Sequence, residues 1–223
     1  MGTIQRKERE KESRKESIID AAQKVFFEKG LQLATMDEIA ETAELAKGTL
    51  YLYYRSKEDL YLAVMMRGLI LLRTMFEAVI TRQLTTVRTM VEFMATFTGF
   101  FEQHRNYFRM FHFFNTPQFH KQVSEAMMAE CDRCNHTLWT LVTGVLDRGK
   151  AEGTIRTDLS AIEIAVVLWT SSSSLMMRID SQRELFRQKL TVDLDHTLRV
   201  SNILLLESVM TDAGRKELSA NTI

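Results

Sequence analysis

The sequence has few of the residues that punctuate loops or cross-link small domains. Its 223 residues include one proline, nine glycines and two cysteines, and 29 basic residues balance 29 acidic ones. One proline argues against a barrel or sandwich of many short strands. Two cysteines do not make a secreted disulfide scaffold. Because the net charge is zero, any basic binding surface has to be local.

Long hydrophobic runs are also missing. The longest extends from Leu60 to Met66, whereas a membrane-spanning helix needs about 20 apolar residues. The charged segment from Arg6 to Lys11 is followed by no apolar stretch, which does not fit a signal peptide. We therefore expect a cytoplasmic protein in a reducing compartment, with no membrane partner.

Helical periodicity is present along almost the whole chain. Ile18, Ala22, Val25 and Phe26 recur with the spacing of one helical face, and Gly30 marks the end of that helix. No segment alternates with the period of a strand. The sequence predicts an all-α fold, with helices at about 10–30, 36–43, 47–54, 57–80, 86–104, 106–114, 118–150, 161–179 and 185–210.

Helix starts are marked by a hydroxyl residue followed three positions later by an acid. This spacing is typical of a capping box, in which each side chain bonds the other residue's backbone N–H. The predicted pairs are Thr35 with Glu38, Ser56 with Asp59, and Ser160 with Glu163. The chain then divides into a small N-terminal domain at 1–56, whose residues 1–12 form a flexible arm, a larger helical domain at 57–212, and a loose tail at 213–223.

The segment 35–54 has the pattern of a helix-turn-helix. Two short helices flank a turn at 44–46, and Leu50 and Tyr54 are spaced to pack back on the first helix. Residues 46–57 contain three basic residues and no acid, which suits contacts with DNA phosphates. A helical hairpin with a solvated face has the same spacing, so the pattern alone leaves both interpretations open.

The residues of this segment closely resemble the DNA-binding signature of TetR-family (tetracycline-repressor-like) regulators. The matching motif reads Thr-Met-Asp-Glu-Ile-Ala from Thr35, then Ala43, then Ala-Lys-Gly-Thr-Leu-Tyr-Leu-Tyr-Tyr-Arg-Ser-Lys-Glu-Asp-Leu from Ala46. Residues 19–30 resemble that family's first helix, and residues 152–159 resemble another of its frequent patterns.

The resemblance implies a homodimeric transcription regulator of two parts. An N-terminal three-helix helix-turn-helix domain binds a near-palindromic double-stranded DNA operator, and a larger helical domain binds ligand and dimerises. The regulator is expected to be a repressor that a small hydrophobic or aromatic ligand releases from DNA. It implies no enzyme activity, no cofactor and no metal.

The DNA contacts implied by the resemblance come from both helices of the motif. Residues at the start of the second helix meet base edges or backbone, the tyrosines reach phosphates or thymine methyls, and the flanking threonine and lysine contact phosphates. These residues are Thr35, Lys47, Gly48, Thr49, Tyr51, Tyr53 and Lys57.

Two positions depart from the family pattern. Glu44 stands where the family has a turn glycine, which makes a positive φ less favourable there. Ala46 stands where a serine or threonine caps the recognition helix, and loss of such a cap costs about 1 kcal/mol. We expect a recognition helix that is less firmly ordered without DNA.

Most of the 13 phenylalanines lie between Phe93 and Phe119, among several methionines. By the resemblance this region lines the ligand pocket, and apolar pockets with adaptable methionines suit greasy or planar ligands. The same residues would also fill the core of a helical bundle. The candidate lining residues are Met94, Phe97, Phe101, Phe108, Phe111, Met127, Trp139 and Met176, with His104, His112, His120 and His136 as possible polar anchors.

The last two long helices are apolar on more than one face, and in the family this region dimerises. A helix with two apolar faces has to bury both, one of them across a two-fold interface. The alternative is a helix wholly inside its own subunit. The candidate interface residues are Ile162, Val166, Trp169, Leu198, Ile203 and Leu206.

Two other interpretations stay open. Cys131 and Cys134 share a helical face near His136 and suggest a thiol- or metal-responsive regulator, although a zinc site needs about four ligands and no second cysteine pair exists. A helical small-molecule carrier would share the pocket but would not need residues 35–57. An enzyme is not expected, because no Ser-His-Asp set, phosphate loop or HExxH pair occurs.

Overall fold

The computed structural model of the chain describes residues 2–114 and 117–220, and helices dominate both ranges. They are α1 (Gly2–Leu33), α2 (Met36–Thr42), α3 (Lys47–Tyr53), α4 (Lys57–Ile80), α5 (Thr86–Gln103), α6 (Arg105–Phe114), α7 (Pro117–His120), α8 (Glu125–Ala151), α9 (Ala161–Leu190), α10 (Leu194–Val209) and α11 (Asp212–Ala220). Within these ranges no strand occurs, and a single isolated bridge pairs Ile155 with Met210. The all-α prediction is confirmed.

Of the predicted capping boxes, the one at the start of α9 forms completely. The Ser160 hydroxyl accepts a hydrogen bond from the Glu163 N–H, and the Glu163 carboxylate accepts one from the Ser160 N–H. At α4, Ser56 caps the Asp59 N–H at 3.0 Å. The Asp59 carboxylate instead accepts the Ser124 N–H at 2.8 Å, which ties the start of α4 to the start of α8.

The boundaries of the later helices differ from the prediction. Where a break was expected near residue 180, α9 continues to Leu190 and ends at Thr191, whose φ of 56° is left-handed. Asp193 then caps α10 by accepting the N–H groups of Asp195 and His196. The helix expected over 118–150 is divided into α7 (Pro117–His120) and α8, which begins at Glu125. Sequence periodicity does not place these breaks, because the flanking segments share one helical pattern.

Both chain ends are more helical than expected. Residues of the expected flexible arm continue α1 as helix from Gly2. Where a loose tail was expected, Asp212–Ala220 forms α11, which buries Leu218 and Gly214. The Thr211 hydroxyl caps this helix by accepting the Gly214 N–H at 3.2 Å. Residues 221–223 lie outside the described ranges.

The chain forms two compact units that do not follow the division expected at residue 56. The first comprises Met1–Ile70 and Asn106–Asn135, and the second comprises Leu71–Arg105 and His136–Ile223. Fully buried side chains of the first unit include Ile18, Ile39, Leu50, Leu60, Leu62 and Met65. Those of the second include Leu72, Met90, Phe100, Phe101, Leu146 and Ile155. The functional division at 56 stays a prediction.

In the second unit, α9 packs along α10. The buried Ser172 hydroxyl donates to the Asn202 side-chain oxygen at 3.0 Å, which fixes the register of the two helices. By length and composition alone α9 could also cross a membrane, with a mean hydropathy of 1.2 over its most apolar window. Core helices of soluble proteins pass the same test, so the cytoplasmic location stays a prediction.

Candidate functional site

The helix-turn-helix segment folds with α3 docked on one face and open on the other. Leu50 on α3 is fully buried, as is Ile39 on α2. Lys47, Gly48 and Tyr51 lie on the exposed side of α3, and Tyr51 retains 45% of its accessible surface. This arrangement docks a short helix by one side and leaves the other side open to a partner, as a recognition helix requires.

The turn between α2 and α3 keeps a left-handed residue despite the missing glycine. Glu44 has a φ of 54°, and its N–H donates to the Glu41 carbonyl at 3.0 Å. The following Leu45 N–H donates to the Ala40 carbonyl at 2.9 Å. These two bonds close the end of α2 and impose the left-handed conformation on a residue that disfavours it.

Replacing Glu44 with glycine is expected to stabilise the protein by about 0.5–1 kcal/mol. Glycine adopts a positive φ without the steric penalty of a Cβ atom, and that relief exceeds the added entropy of the unfolded chain. Urea unfolding of the wild type and the E44G variant measures the difference. An equal or lower stability of E44G would contradict strain at this turn.

The start of α3 lacks the side-chain cap found in the family, as the sequence indicates. Ala46 occupies the N-cap position with extended backbone and makes no side-chain hydrogen bond. Its carbonyl accepts the Thr49 N–H at 2.8 Å, so backbone bonds alone begin the helix. The expectation of a less firmly ordered recognition helix stays a prediction.

Lys47, the first residue of α3, is held by an acid on α2. Its Nζ lies 2.5 Å from Asp37 Oδ1, and the two side chains are 54% and 66% exposed. The hydrogen bond that the Lys47 ammonium donates to Asp37 raises the pKa of Lys47. Exposed ion pairs contribute little to stability, so this lysine can exchange its carboxylate partner for a phosphate at small cost.

Lys57 was expected to contact a DNA phosphate, but its side chain binds backbone carbonyls of its own fold. Its Nζ donates to the carbonyl oxygens of Leu31, Ala34 and Gln32 at 2.9, 3.2 and 3.4 Å. An ammonium group has three N–H donors, and these carbonyls use all of them. Lys57 therefore closes the C-terminal end of α1, and we leave it out of the proposed interface.

The remaining predicted DNA contacts lie around the open face of α3. Thr35 is exposed and caps α2 by accepting the Glu38 N–H at 3.2 Å, while the Glu38 carboxylate pairs with Lys29. Thr49 and Tyr53 are half-buried. Sequence reasoning missed Leu52, which is 84% exposed beside Tyr51. An apolar residue between two tyrosines gives no signal that it faces outward.

The candidate ligand-lining residues are divided between the compact units. In the second unit, Phe97 stacks on Trp169 with ring centroids 4.4 Å apart, and Trp139 meets Trp169 edge-on at 6.0 Å. Met94 and Met176 are buried in that unit as well. Phe108, Phe111 and Met127 belong to the first unit, where the two phenylalanines are buried.

A cation beside Phe101, another candidate lining residue, was not foreseen from the sequence. The Arg105 guanidinium lies 5.2 Å from the centroid of the Phe101 ring and 3.7 Å from Asp180. The sequence instead indicated histidines as possible polar anchors. Of these, His104 packs against Phe100 with centroids 5.3 Å apart. Arg105 therefore joins the candidate lining as its polar member.

The candidate dimer residues divide into outward- and inward-facing sets. Ile162, Val166 and Ile203 are exposed on α9 and α10, as an interface requires. Leu198 and Leu206 are each 3% exposed and belong to the core of their own subunit, which corrects their assignment. Trp169 packs on Phe97 and Trp139 inside the same unit. Sequence reasoning missed the exposed apolar residues Val167, Val200 and Leu204.

The surroundings of the two cysteines do not favour a thiol or metal sensor. Cys131 is fully buried and its Sγ accepts a weak hydrogen bond from Asn135. Burial raises the pKa of the Cys131 thiol to about 12, which disfavours the reactive thiolate. Among the described residues, no three His, Cys, Asp or Glu side chains converge on a metal position. No observation here favours the thiol- or metal-responsive alternative.

Comparison with known proteins gives matches of two kinds. A family model described as "Bacterial regulatory proteins, tetR family" matches residues 18–64. The HTH-type transcriptional activator FasR of Mycolicibacterium smegmatis is 42% identical over 57 residues, which are 26% of this chain and 26% of that protein. The match thus spans about a quarter of that relative's length.

Solved structures match over most of the chain. A putative tetR family transcription regulator from Shewanella sp. PV-4 aligns with a TM-score of 0.66 and 15% identity, covering 89% of this chain and 98% of that one. The regulator FadR from Bacillus subtilis, solved in complex with stearoyl-CoA, aligns with a TM-score of 0.64 and 20% identity over 86% and 98%. At these identities the likeness shows the fold. The helix-turn-helix segment at residues 18–64 therefore matches the tetR family of bacterial regulatory proteins, and the chain shares the fold of solved regulators of that type.

Proposed function

We propose that this protein is a ligand-responsive transcription regulator that binds double-stranded DNA as a homodimer. The observation that carries the proposal is the open face of α3, where Lys47, Gly48 and Tyr51 stand exposed over a buried Leu50. In a two-fold dimer, two such helices about 34–36 Å apart would enter successive major grooves of a near-palindromic operator.

Local charge supports this assignment. The segment 46–57 carries Lys47, Arg55 and Lys57 without an acid, and Lys57 is used inside the fold. Among the described residues, Lys47 forms an ion pair with Asp37, and this pair is exposed. A phosphate would replace that carboxylate, and counterion release would make the affinity fall steeply with salt.

Replacing Lys47 with glutamine is expected to flatten the salt dependence of DNA binding. Each lost phosphate contact lowers the slope of log K against log salt by about 0.9, so a dimer would lose about 2. The matched variant Asp37→Asn removes the competing carboxylate and should bind DNA more tightly. Fluorescence anisotropy with a mixed-sequence duplex measures both variants. An unchanged slope for K47Q would contradict the role given to Lys47.

The dimer surface we propose is the outward apolar face of α9 and α10. It comprises Ile162, Val166, Val167, Val200, Ile203 and Leu204, which are each 40–60% exposed. A dimer that buries this exposed apolar face between two copies would be stabilised, because the face is then removed from water. A monomer in light scattering at micromolar concentration would remove this part of the proposal.

For the ligand, we propose a hydrophobic molecule of the fatty acyl class. The Bacillus subtilis neighbour was solved with stearoyl-CoA. In this chain, Phe97, Trp139 and Trp169 form an aromatic group. Arg105, beside Phe101, could pair with the anionic part of an acyl ligand.

We propose that operator binding represses transcription. The Mycolicibacterium smegmatis relative is named an activator. Expression from a promoter fused to a reporter gene distinguishes repression from activation.

Stearoyl-CoA is expected to raise the Tm of the protein by several degrees and to release it from DNA. Ligand that binds only the folded state stabilises it by mass action, and a ligand that prefers the state unable to bind DNA lowers DNA affinity reciprocally. Coenzyme A without an acyl chain is the control and should do neither. Equal effects of the two compounds would show that the acyl chain is not recognised.

A further inference from the structure

The N-terminal part of α1 extends well beyond the packed part of its domain. The helix begins at Gly2, but its first fully buried residue is Ile18. At 1.5 Å per residue the segment Gly2–Ser17 is about 24 Å long. The described side chains between Gln5 and Ser17 are exposed, apart from a half-buried Lys15. Among the described residues, this segment buries no side chain, and its contact with the rest of the unit is the pairing of Glu16 with Arg67 near its end.

Three of the six basic residues in the segment Gly2–Ser17 form one stripe. Lys7, Lys11 and Arg14 are spaced by four and three residues, and the same spacing continues through the buried Ile18 and Ala22. Residues at this spacing share a helical face. The stripe therefore prolongs the face by which α1 packs into the domain, where its neighbour is α2 of the helix-turn-helix.

The charges of this stripe are uncompensated. None of Lys7, Lys11 and Arg14 makes a hydrogen bond or ion pair with any described residue. The acids of the projection are mostly neutralised by other cations. Glu10 pairs with Arg6, Glu12 with Lys15, and Glu16 with Arg67. The first turn of α1 also contains no acid, so the positive end of the helix dipole adds to the same field.

We propose that this stripe binds the phosphate backbone of the DNA duplex contacted by α3, beyond the operator half-site itself. The inference rests on the proposed DNA-binding function and extends it to a second contact surface. A regular row of cations on one helical face suits the regular row of phosphates, and it adds affinity without reading sequence. Each half-site would then be held by α3 in the groove and by α1 on the flanking backbone.

The test removes three charges from the stripe and compares a matched control on the same helix. The stripe variant is K7Q/K11Q/R14Q, and the control is R6Q/R9Q/K15Q, whose side chains bond within the helix. The exposed positions should leave the circular dichroism and Tm of both variants unchanged. Binding of full-length dimer to a long mixed-sequence duplex is measured by anisotropy over a range of salt concentrations.

The stripe variant is expected to lower the slope of log K against log salt by about 5, from six lost contacts per dimer. The control should lower it much less, and hydroxyl-radical protection outside the half-sites should disappear in the stripe variant alone. Equal slopes for the two variants would overturn the inference, as would binding of the stripe to anionic lipid vesicles instead of DNA. If the wild type binds no duplex at all, the proposed function itself fails, which is a different result.

Discussion

Replacement of Gly48 by leucine is expected to weaken DNA binding at least 100-fold while leaving the fold as stable or more so. A Cβ atom at Gly48 would meet no heavy atom within 4 Å, and its backbone is not in the positive-φ region. Glycine costs a helix about 1 kcal/mol relative to alanine, so the free protein gains nothing from it. In the proposed complex, a close approach of DNA to α3 would supply the missing reason, and a leucine side chain would block it on both half-sites.

Gly144 provides the matched control for this result. It is likewise exposed in a helix, with nothing within 4 Å of an added Cβ atom, but it lies on α8 far along the chain from α3. G144L should raise helix stability in the same way and leave DNA affinity unchanged. Anisotropy and urea unfolding measure both variants. Wild-type DNA affinity for G48L would show that α3 does not approach DNA closely at this residue.

Replacement of Gly149 by alanine is expected to destabilise the protein by about 2 kcal/mol. An added Cβ atom would lie 2.5 Å from Ile155 Cγ1 and 2.6 Å from Thr86 Cγ2. Both neighbours are fully buried, and the Thr86 hydroxyl is held by Glu152 and Arg148. Overpacking of such a site costs about 1–3 kcal/mol and outweighs the helix propensity that alanine adds.

Gly144→Ala, on the same helix, is the control for Gly149→Ala. It changes helix propensity in the same way but adds no crowded contact. That substitution should stabilise the protein by about 0.5–1 kcal/mol, because the added methyl group meets nothing. Urea unfolding of both variants gives the difference. If G149A proved as stable as G144A, the close approach between α8 and its neighbours would not exist in solution.

Interactions between residues that are close in sequence made much of this fold predictable. The periodicity of Ile18, Ala22 and Val25 identified the buried face of α1. The Ser160 capping box and the uncapped Ala46 follow from residues within a few positions of each helix start. In such cases the sequence contains both partners of the interaction, so the inference needs no tertiary information.

Partners distant in sequence were not predictable in the same way. The carbonyls that hold Lys57 come from the end of α1, so a basic residue that looked available for DNA is used by the fold. Periodicity shows that α10 has two apolar faces but not which one faces outward, and Leu198 and Leu206 were assigned to the wrong face. At Glu44, backbone bonds closing α2 override the residue's own preference.

Sequence selection from fragmented genomic DNA of the source organism tests the central claim most directly. Purified protein, unfolded and refolded to remove any retained ligand, is incubated with the fragments, and the retained DNA is sequenced. We predict enrichment of a short inverted repeat whose half-sites lie one helical turn or a multiple apart. The G48L variant should enrich nothing. Folded, ligand-free wild-type protein that retains no common sequence would contradict the identification of α3 as a DNA-reading helix.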